Sequence, residues 1–173
     1  MTEKTDITAA YLQSIMDYDP ETGSLRWKHR ADASPEWNSN HAGKPAGASH
    51  KRGYRRIKID RREYQAHRLV WLWVTGNWPQ AEIDHINLDR ADNRFCNLRA
   101  ASRSQNKMNK PRQSNNTSGF KGVSWNRSRQ KWLAQIKHDG QVRYLGFFDD
   151  PSAAHAVYCE AADKYFGEFA RTA

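Results

Sequence analysis

The chain has 173 residues, enough for one compact domain or two small ones. Its formal charge is +9, with 28 Lys and Arg against 19 Asp and Glu and a pI near 9.7. That surplus calls for a polyanion, nucleic acid before an anionic membrane, because no long basic amphipathic helix occurs and no apolar run approaches the ~18 residues of a membrane span.

The polar N-terminus, Met1 to Ala10, does not read as a signal peptide. A short helix is expected over Thr8 to Met16, then turn chemistry from Asp19 to Gly23 and a strand at Leu25 to Lys28. Ala31 to Ser49, rich in Asn, Ser, Gly, Pro and His, reads as a loop. Tyr54 to Ile59 alternates, with Arg55, Ile57 and Ile59 on one face and Tyr54, Arg56 and Lys58 on the other. A polar turn at Asp60 to Arg62 returns the chain through Tyr64 to Ala66. Nine basic residues lie between Lys44 and Arg68 against two acidic ones, Asp60 and Glu63. A solvated charged face is one reading. The interleaved tyrosines favour phosphate contact by Arg56, Lys58, Arg61 and Arg62.

His67 to Thr75 is a short helix, apolar nearly all round and expected to be buried, with Gly76 as its C-terminal stop. His67 reads as a hydrogen-bonded structural histidine. Ala81 to Ile86 is followed by a polar irregular segment, Asn87 to Asn93, and by a strand at Phe95 to Ala100. Ser102 with Gln105 forms a capping box for a helix from Arg103 to Asn109. No acid interrupts the basic series Arg99, Arg103, Lys107, Lys110 and Arg112. Gln113 to Ser118 is the best linker candidate. Three strands follow, at Gly122 to Trp125, Lys131 to Lys137 and Gln141 to Phe147. Asp150-Pro151 then opens a helix running to about Tyr165.

The residues that carry chemistry lie between Asp84 and Asn106. Cys96 and Cys159 stand far apart without a Cys-x-x-Cys spacing, so a metal would use oxygen or imidazole ligands. A hairpin folded onto the capped helix would bring Asp84 and Asn106 to one small cleft. One charged and one neutral oxygen ligand suit Mg²⁺, with Mn²⁺ an alternative. His85 beside that ion can take a proton from water near neutral pH. This arrangement requires Asp84 and Asn106 to share the ion and solvent to reach His85. Each residue taken singly reads as a turn carboxylate, a buried histidine or a cap.

The spacing of Asp84-His85, Asn97-Leu98-Arg99 and Ser104-Gln105-Asn106 resembles the HNH endonucleases, in the phage and intron homing branch where Asn replaces the final His. Gly53-Tyr54, His67-Arg68-Leu69-Val70-Trp71, Gly76, Pro79 and Ile83-Asp84-His85 resemble it as well, over about residues 19–109. The resemblance implies a general base at His85, metal ligands at Asp84 and Asn106, and an Asn97 that hydrogen-bonds within the loop to hold His85. Ile86-Asn87-Leu88-Asp89 departs from the family's Ile-Asp-Gly-Asn loop. It implies hydrolysis of a DNA phosphodiester to a 5′-phosphate and a 3′-hydroxyl.

The C-terminal part is similar to the ethylene-response-factor DNA-binding domain in Gly122-Val123, Trp132, Ala134, Ile136, Leu145-Gly146, Phe148-Asp149, Ala153-Ala154, Tyr158, Ala161-Ala162 and Gly167. That resemblance implies a sheet lying in the major groove. By alternation Leu133, Gln135 and Lys137 face away from the helix, with Lys121, Arg127, Arg129, Arg143 and Tyr144 nearby as DNA contacts. The first strand carries Ser124 and Asn126 where the plant pattern has arginines, so base preference does not transfer.

The expected fold is α+β: a ββα-metal nuclease domain over 1–112, a linker at 113–116, and a three-stranded antiparallel sheet packed on one helix over 117–173. In the nuclease domain Arg103 and Lys107 add backbone grip. The expected partner is double-stranded DNA, with no membrane and no obligate protein partner, in the cytoplasm of a bacterium or phage-infected cell. A DNA-binding regulator with a decayed nuclease module is the main alternative. An RNA-binding module using Trp125 and Tyr144 for stacking is a third.

Overall fold

The computed structural model describes residues 7–172; residues 1–6, which hold most of the segment read as lacking a signal peptide, and residue 173 lie outside the described residues. The chain divides into two compact units between Ala101 and Ser102.

In the first unit the Thr8 hydroxyl caps helix α1 (Ala9–Ile15) by accepting the Tyr11 N–H. The helix stops short of Met16, which instead opens a strand. β1 (Met16–Asp19) pairs antiparallel with β2 (Ser24–Trp27), and the Asp19 carboxylate accepts the Glu21 and Thr22 N–H groups in the turn between them. The expected loop after β2 contains a helix, α2 (Pro35–His41), whose Trp37 N–H donates to Ser34 Oγ at 3.1 Å. Polar composition hid it, although Ser34-Pro35-Glu36 is a helix start.

A three-stranded sheet follows in the order β3 (Ala48–Ser49), β4 (Arg55–Ile59), β5 (Arg62–Gln65). Its alternation is as predicted, with Ile57 and Ile59 buried. Asp60 and Arg61 form the two-residue turn at φ 47° and 66°, the left-handed geometry that matches strand twist. Helix α3 (Ala66–Thr75) ends on Gly76 at φ 76°. It buries Leu69, Val70 and Leu72 in one core with Leu12, Ile15, Ile57 and Ile59. The expectation of burial all round is corrected, since Val74 is exposed. β6 (Glu82–His85) then pairs antiparallel with β7 (Leu98–Ala101). The second strand starts later than expected because Phe95–Asn97 is a 3₁₀ turn.

The second unit opens with α4 (Arg103–Met108), and its capping box is complete. The Gln105 N–H donates to Ser102 Oγ at 3.2 Å, and the Ser102 N–H donates to Gln105 Oε1 at 2.8 Å. Strands β8 (Val123–Asn126), β9 (Lys131–His138) and β10 (Gln141–Phe148) form an antiparallel sheet in the order β10-β9-β8. Helix α5 (Pro151–Phe166) packs on one face, burying Ala154, Tyr158 and Ala161 with Val123, Ala134 and Ile136. Gly122 sits at φ 76°, and a Cβ there would lie 2.0 Å from the Tyr158 ring, so only glycine lets the helix approach the sheet so closely.

The segment expected to link two domains is built into this unit. Asn116 Nδ2 donates to the Phe120 carbonyl, and Ser118 Oγ donates to that of Val123. Lys121, expected on DNA, is turned inward. Its Nζ donates to the carbonyls of Met108 (2.9 Å), Lys110 (2.7 Å) and Arg171 (2.9 Å), tying the end of α4 to the C-terminal residues. Burial draws its pKa down to about 8, and at neutral pH the ammonium still has an acceptor for each N–H. Lys121→Met is therefore expected to destabilise this unit by about 2 kcal/mol or more, read as a lower urea midpoint, because three carbonyls lose a charged donor.

Candidate active site

The hairpin of β6 and β7 places Asp84 and His85 side by side at the end of β6. Asp84 is registered opposite Arg99, and the guanidinium forks onto one carboxylate oxygen, with Nε 3.0 Å and Nη2 2.9 Å from Oδ2. Both side chains are largely buried, so the pairing fixes the orientation of the carboxylate. The sequence marks Arg99 in the basic series and in the Asn97-Leu98-Arg99 motif but does not show what it pairs with. Strand register is the signal that would have found it.

His85 and Asp84 are each 4% exposed. The expectation that bulk solvent reaches His85 is corrected. His85 Nε2 lies 3.2 Å from Asn93 Oδ1. Its ring packs edge-on against His67, with centroids 5.1 Å apart, and lies 5.9 Å from Tyr54, over which the Arg90 guanidinium sits at 4.9 Å. Burial holds the His85 pKa below the usual value for histidine, opposed by the Asn93 hydrogen bond and the Asp84 charge. His67 is pushed down to about 3 by burial, with further repulsion from His85 and Arg68. It was expected to be hydrogen-bonded, yet its buried Nδ1 has no hydrogen-bond partner among the described residues.

The Asn97 carboxamide hydrogen-bonds within the loop that follows β6. Its Nδ2 donates to Asn87 Oδ1 (3.0 Å) and the Asp92 carbonyl (2.9 Å), and its Oδ1 accepts the Asn87 N–H (3.0 Å). Asp92 is further locked by Arg94, whose hydrogen bonds hold the carboxyl pKa down at about 2. Asn106 stands on α4, in the second unit.

The proposed phosphate contacts divide. Lys58 and Arg61 are exposed, but Arg56 donates to Glu63 at 2.6 Å and Arg62 lies over the Tyr64 ring. Arg103 and Lys107 are exposed on α4. In the sheet, register puts Gln135 opposite Tyr144 and Lys137 opposite Val142, on the face away from α5. Arg127 and Arg129 are exposed in the turn before β9, and Arg129 covers Phe147. Arg143 pairs with Ile136 on the helix side, and its guanidinium sits over Tyr165. It is thus placed away from the face expected to meet DNA.

No group of three or more His, Cys, Asp or Glu among the described residues could cage a metal ion. A divalent ion beside Asp84 would have one carboxylate, neutral oxygens and water. That donor set suits a hard cation and not a closed zinc site.

The HNH endonuclease family model matches residues 64–108. Protein 3.8 of Escherichia phage T7 is 34% identical over 107 residues, covering 60% of this chain and 88% of that protein. Residues 64–108 therefore carry an HNH endonuclease domain. A protein of Acanthamoeba polyphaga mimivirus, named as an uncharacterized HNH endonuclease, is 30% identical over 122 residues, covering 69% of this chain and 62% of that protein's length. No solved structure matches. The HNH match begins at Tyr64 in β5 and runs through α3, the β6–β7 hairpin and α4, so it crosses from the first compact unit into the second. No helix among the described residues is long and apolar enough to cross a membrane.

The buried His67 gives the HNH domain a specific acid sensitivity. Folded, it binds its proton near pH 3; unfolded, near 6.5. The unfolded chain therefore binds more protons between these values, and this contribution is complete above pH 6.5 and lost as pH falls toward 3. Urea midpoints measured at about pH 7.5 and about pH 5 should fall for the natural chain. They should fall less for His67→Phe, the difference being on the order of 1–2 kcal/mol.

Proposed function

We propose that the chain is a site-specific DNA endonuclease of the homing type that hydrolyses phosphodiester bonds with one divalent ion, Mg²⁺ or Mn²⁺, and a histidine base. The observation that carries this reading is the Asp84-His85 pair at a strand end, oriented by Arg99 and lying inside the HNH match. Asp84 would hold the ion through its carboxylate. Bound there, it would supply positive charge against the charge that builds on the phosphate and on the leaving 3′-oxygen.

His85 accepts a proton from the attacking water. Its depressed pKa keeps the imidazole neutral, and so able to accept, at neutral pH. The new P–O bond forms as the bond to the 3′-oxygen breaks, leaving a 5′-phosphate and a 3′-hydroxyl. Because His85 is closed to bulk water, the reacting water arrives with the substrate and the ion. Asn97 keeps the loop after β6 in the shape that presents the pair.

The nuclease module would run to residue 112. The sheet from 117 onward selects the DNA site through its open face. Tyr144, 72% exposed, with Gln135 and Lys137 beside it and Arg127 and Arg129 at the adjoining turn, supplies base-edge and phosphate donors. Lys58, Arg61, Arg103 and Lys107 grip the backbone. A DNA-binding regulator without cleavage is the second reading, favoured by the closure of His85.

One set of assays separates the two. Supercoiled DNA with Mg²⁺ should be nicked or cut by the natural chain, and His85→Ala should lower the rate at least about 10²-fold while DNA affinity holds. No cleavage by the natural chain, or equal cleavage by His85→Ala, contradicts the enzyme reading. The combined replacement of Gln135, Lys137 and Tyr144 by Ala should weaken DNA binding about tenfold or more without slowing cleavage of saturated complexes. Unchanged binding would remove the sheet from the interface.

A further inference from the structure

We infer that Asn93, clamped by the β1–β2 hairpin through Tyr18, is the positioning residue that fixes the ring tautomer of His85. The inference takes the nuclease reading of His85 as given and adds a residue that the motif spacing does not mark.

Asn93 is 2% exposed, a carboxamide among the most buried side chains of the chain. Such a group sits in a core only where its hydrogen bonds are made. Its Nδ2 donates to the Ala91 carbonyl at 3.3 Å, which assigns the amide orientation and leaves Oδ1 as the atom facing His85. A carboxamide oxygen can only accept. The bond at 3.2 Å therefore requires the proton on His85 Nε2, and in the neutral ring Nδ1 carries the lone pair. Asn93 thus selects which nitrogen takes the proton of the attacking water.

The Asn93 backbone is held from both sides. Tyr18 Oη accepts the Phe95 N–H at 2.8 Å and donates to the Asn93 carbonyl at 3.4 Å. Gly23, at φ 71° in the β1–β2 turn, lies directly on the same peptide; a Cβ there would stand 2.3 Å from Arg94 N and 2.4 Å from the Asn93 carbonyl carbon. Asp92, the preceding residue, is fixed by Asn97 and Arg94. The hairpin near the N-terminus, outside the HNH match, therefore has a task at the base: it keeps the Asn93 peptide from moving.

The test reads tautomer and rate separately. Ring ¹⁵N spectra of the full chain without metal, at about pH 8, should show neutral His85 protonated on Nε2, assigned by comparison with His85→Gln. In Asn93→Leu, similar in volume but without an acceptor, the His85 signals should move toward the Nδ1-protonated form. Single-turnover cleavage should fall at least about tenfold, with the DNA Kd within about threefold of the natural value. Tyr18→Phe, which keeps the ring and removes only the hydroxyl, should give a partial shift of both readouts and covers the case in which Asn93→Leu does not fold. An Nδ1-protonated His85 in the natural chain, an unchanged tautomer in the variants, or a tautomer change without a change in rate overturns the assignment. If the natural chain shows the Nε2 tautomer but cuts no DNA, the nuclease reading fails while the positioning of the ring stands.

Discussion

The segment from Ile86 to Asn97 has almost no apolar core of its own, and side-chain amides and carboxylates hold its shape. Asn97 bonds to both Asn87 and Asp92, Asn87 Nδ2 donates to Asp92, and Arg94 forks onto the same carboxylate. Only Asn97, at its centre, is buried, and a polar network is rigid when fully satisfied. Asp84 and His85 emerge from the strand that leads into this loop. Their geometry is set by the loop closing on itself, and by Arg99 across the ladder. The low accessibility of the imidazole follows from that closure and from Tyr54 and His67 packed against the ring. Burial then lowers the imidazole's proton affinity, so one constraint determines both its position and its protonation.

Much of this was legible in the sequence wherever a local rule acts alone. The alternation of Tyr54 to Ile59, the Ser102–Gln105 capping box, Gly76 at the end of α3 and Asp150-Pro151 at the start of α5 each predict their element. Helix α2 was missed because its polar composition outweighed the Ser34-Pro35 start. The site was legible as spacing and illegible as contact. Motif distance brings Asp84, His85, Asn97 and Asn106 to attention, yet nothing local says that Arg99 faces Asp84, that Asn93 faces His85, or that Tyr18, 75 residues earlier, bonds to the Asn93 carbonyl. These depend on register and on long-range packing, which a linear pattern does not encode.

Charge was the least discriminating signal. A basic chain draws attention to every Lys and Arg, but the structure sorts them by what they touch. Lys121 is a half-buried clamp for three carbonyls, Arg56 is neutralised by Glu63, and Arg143 covers Tyr165 on the helix side. Among the residues expected on DNA, Lys58, Arg61, Arg103, Lys107, Arg127, Arg129 and Lys137 stay exposed.

The reading proposed above puts a single cation on the Asp84 carboxylate beside a neutral imidazole. Titration of the full chain with Mn²⁺, followed by water-proton relaxation, tests it most directly. The proposal predicts one site per chain, weakened at least about tenfold by Asp84→Ala and left largely intact by His85→Ala. Mn²⁺ binding that is indifferent to Asp84 would contradict it.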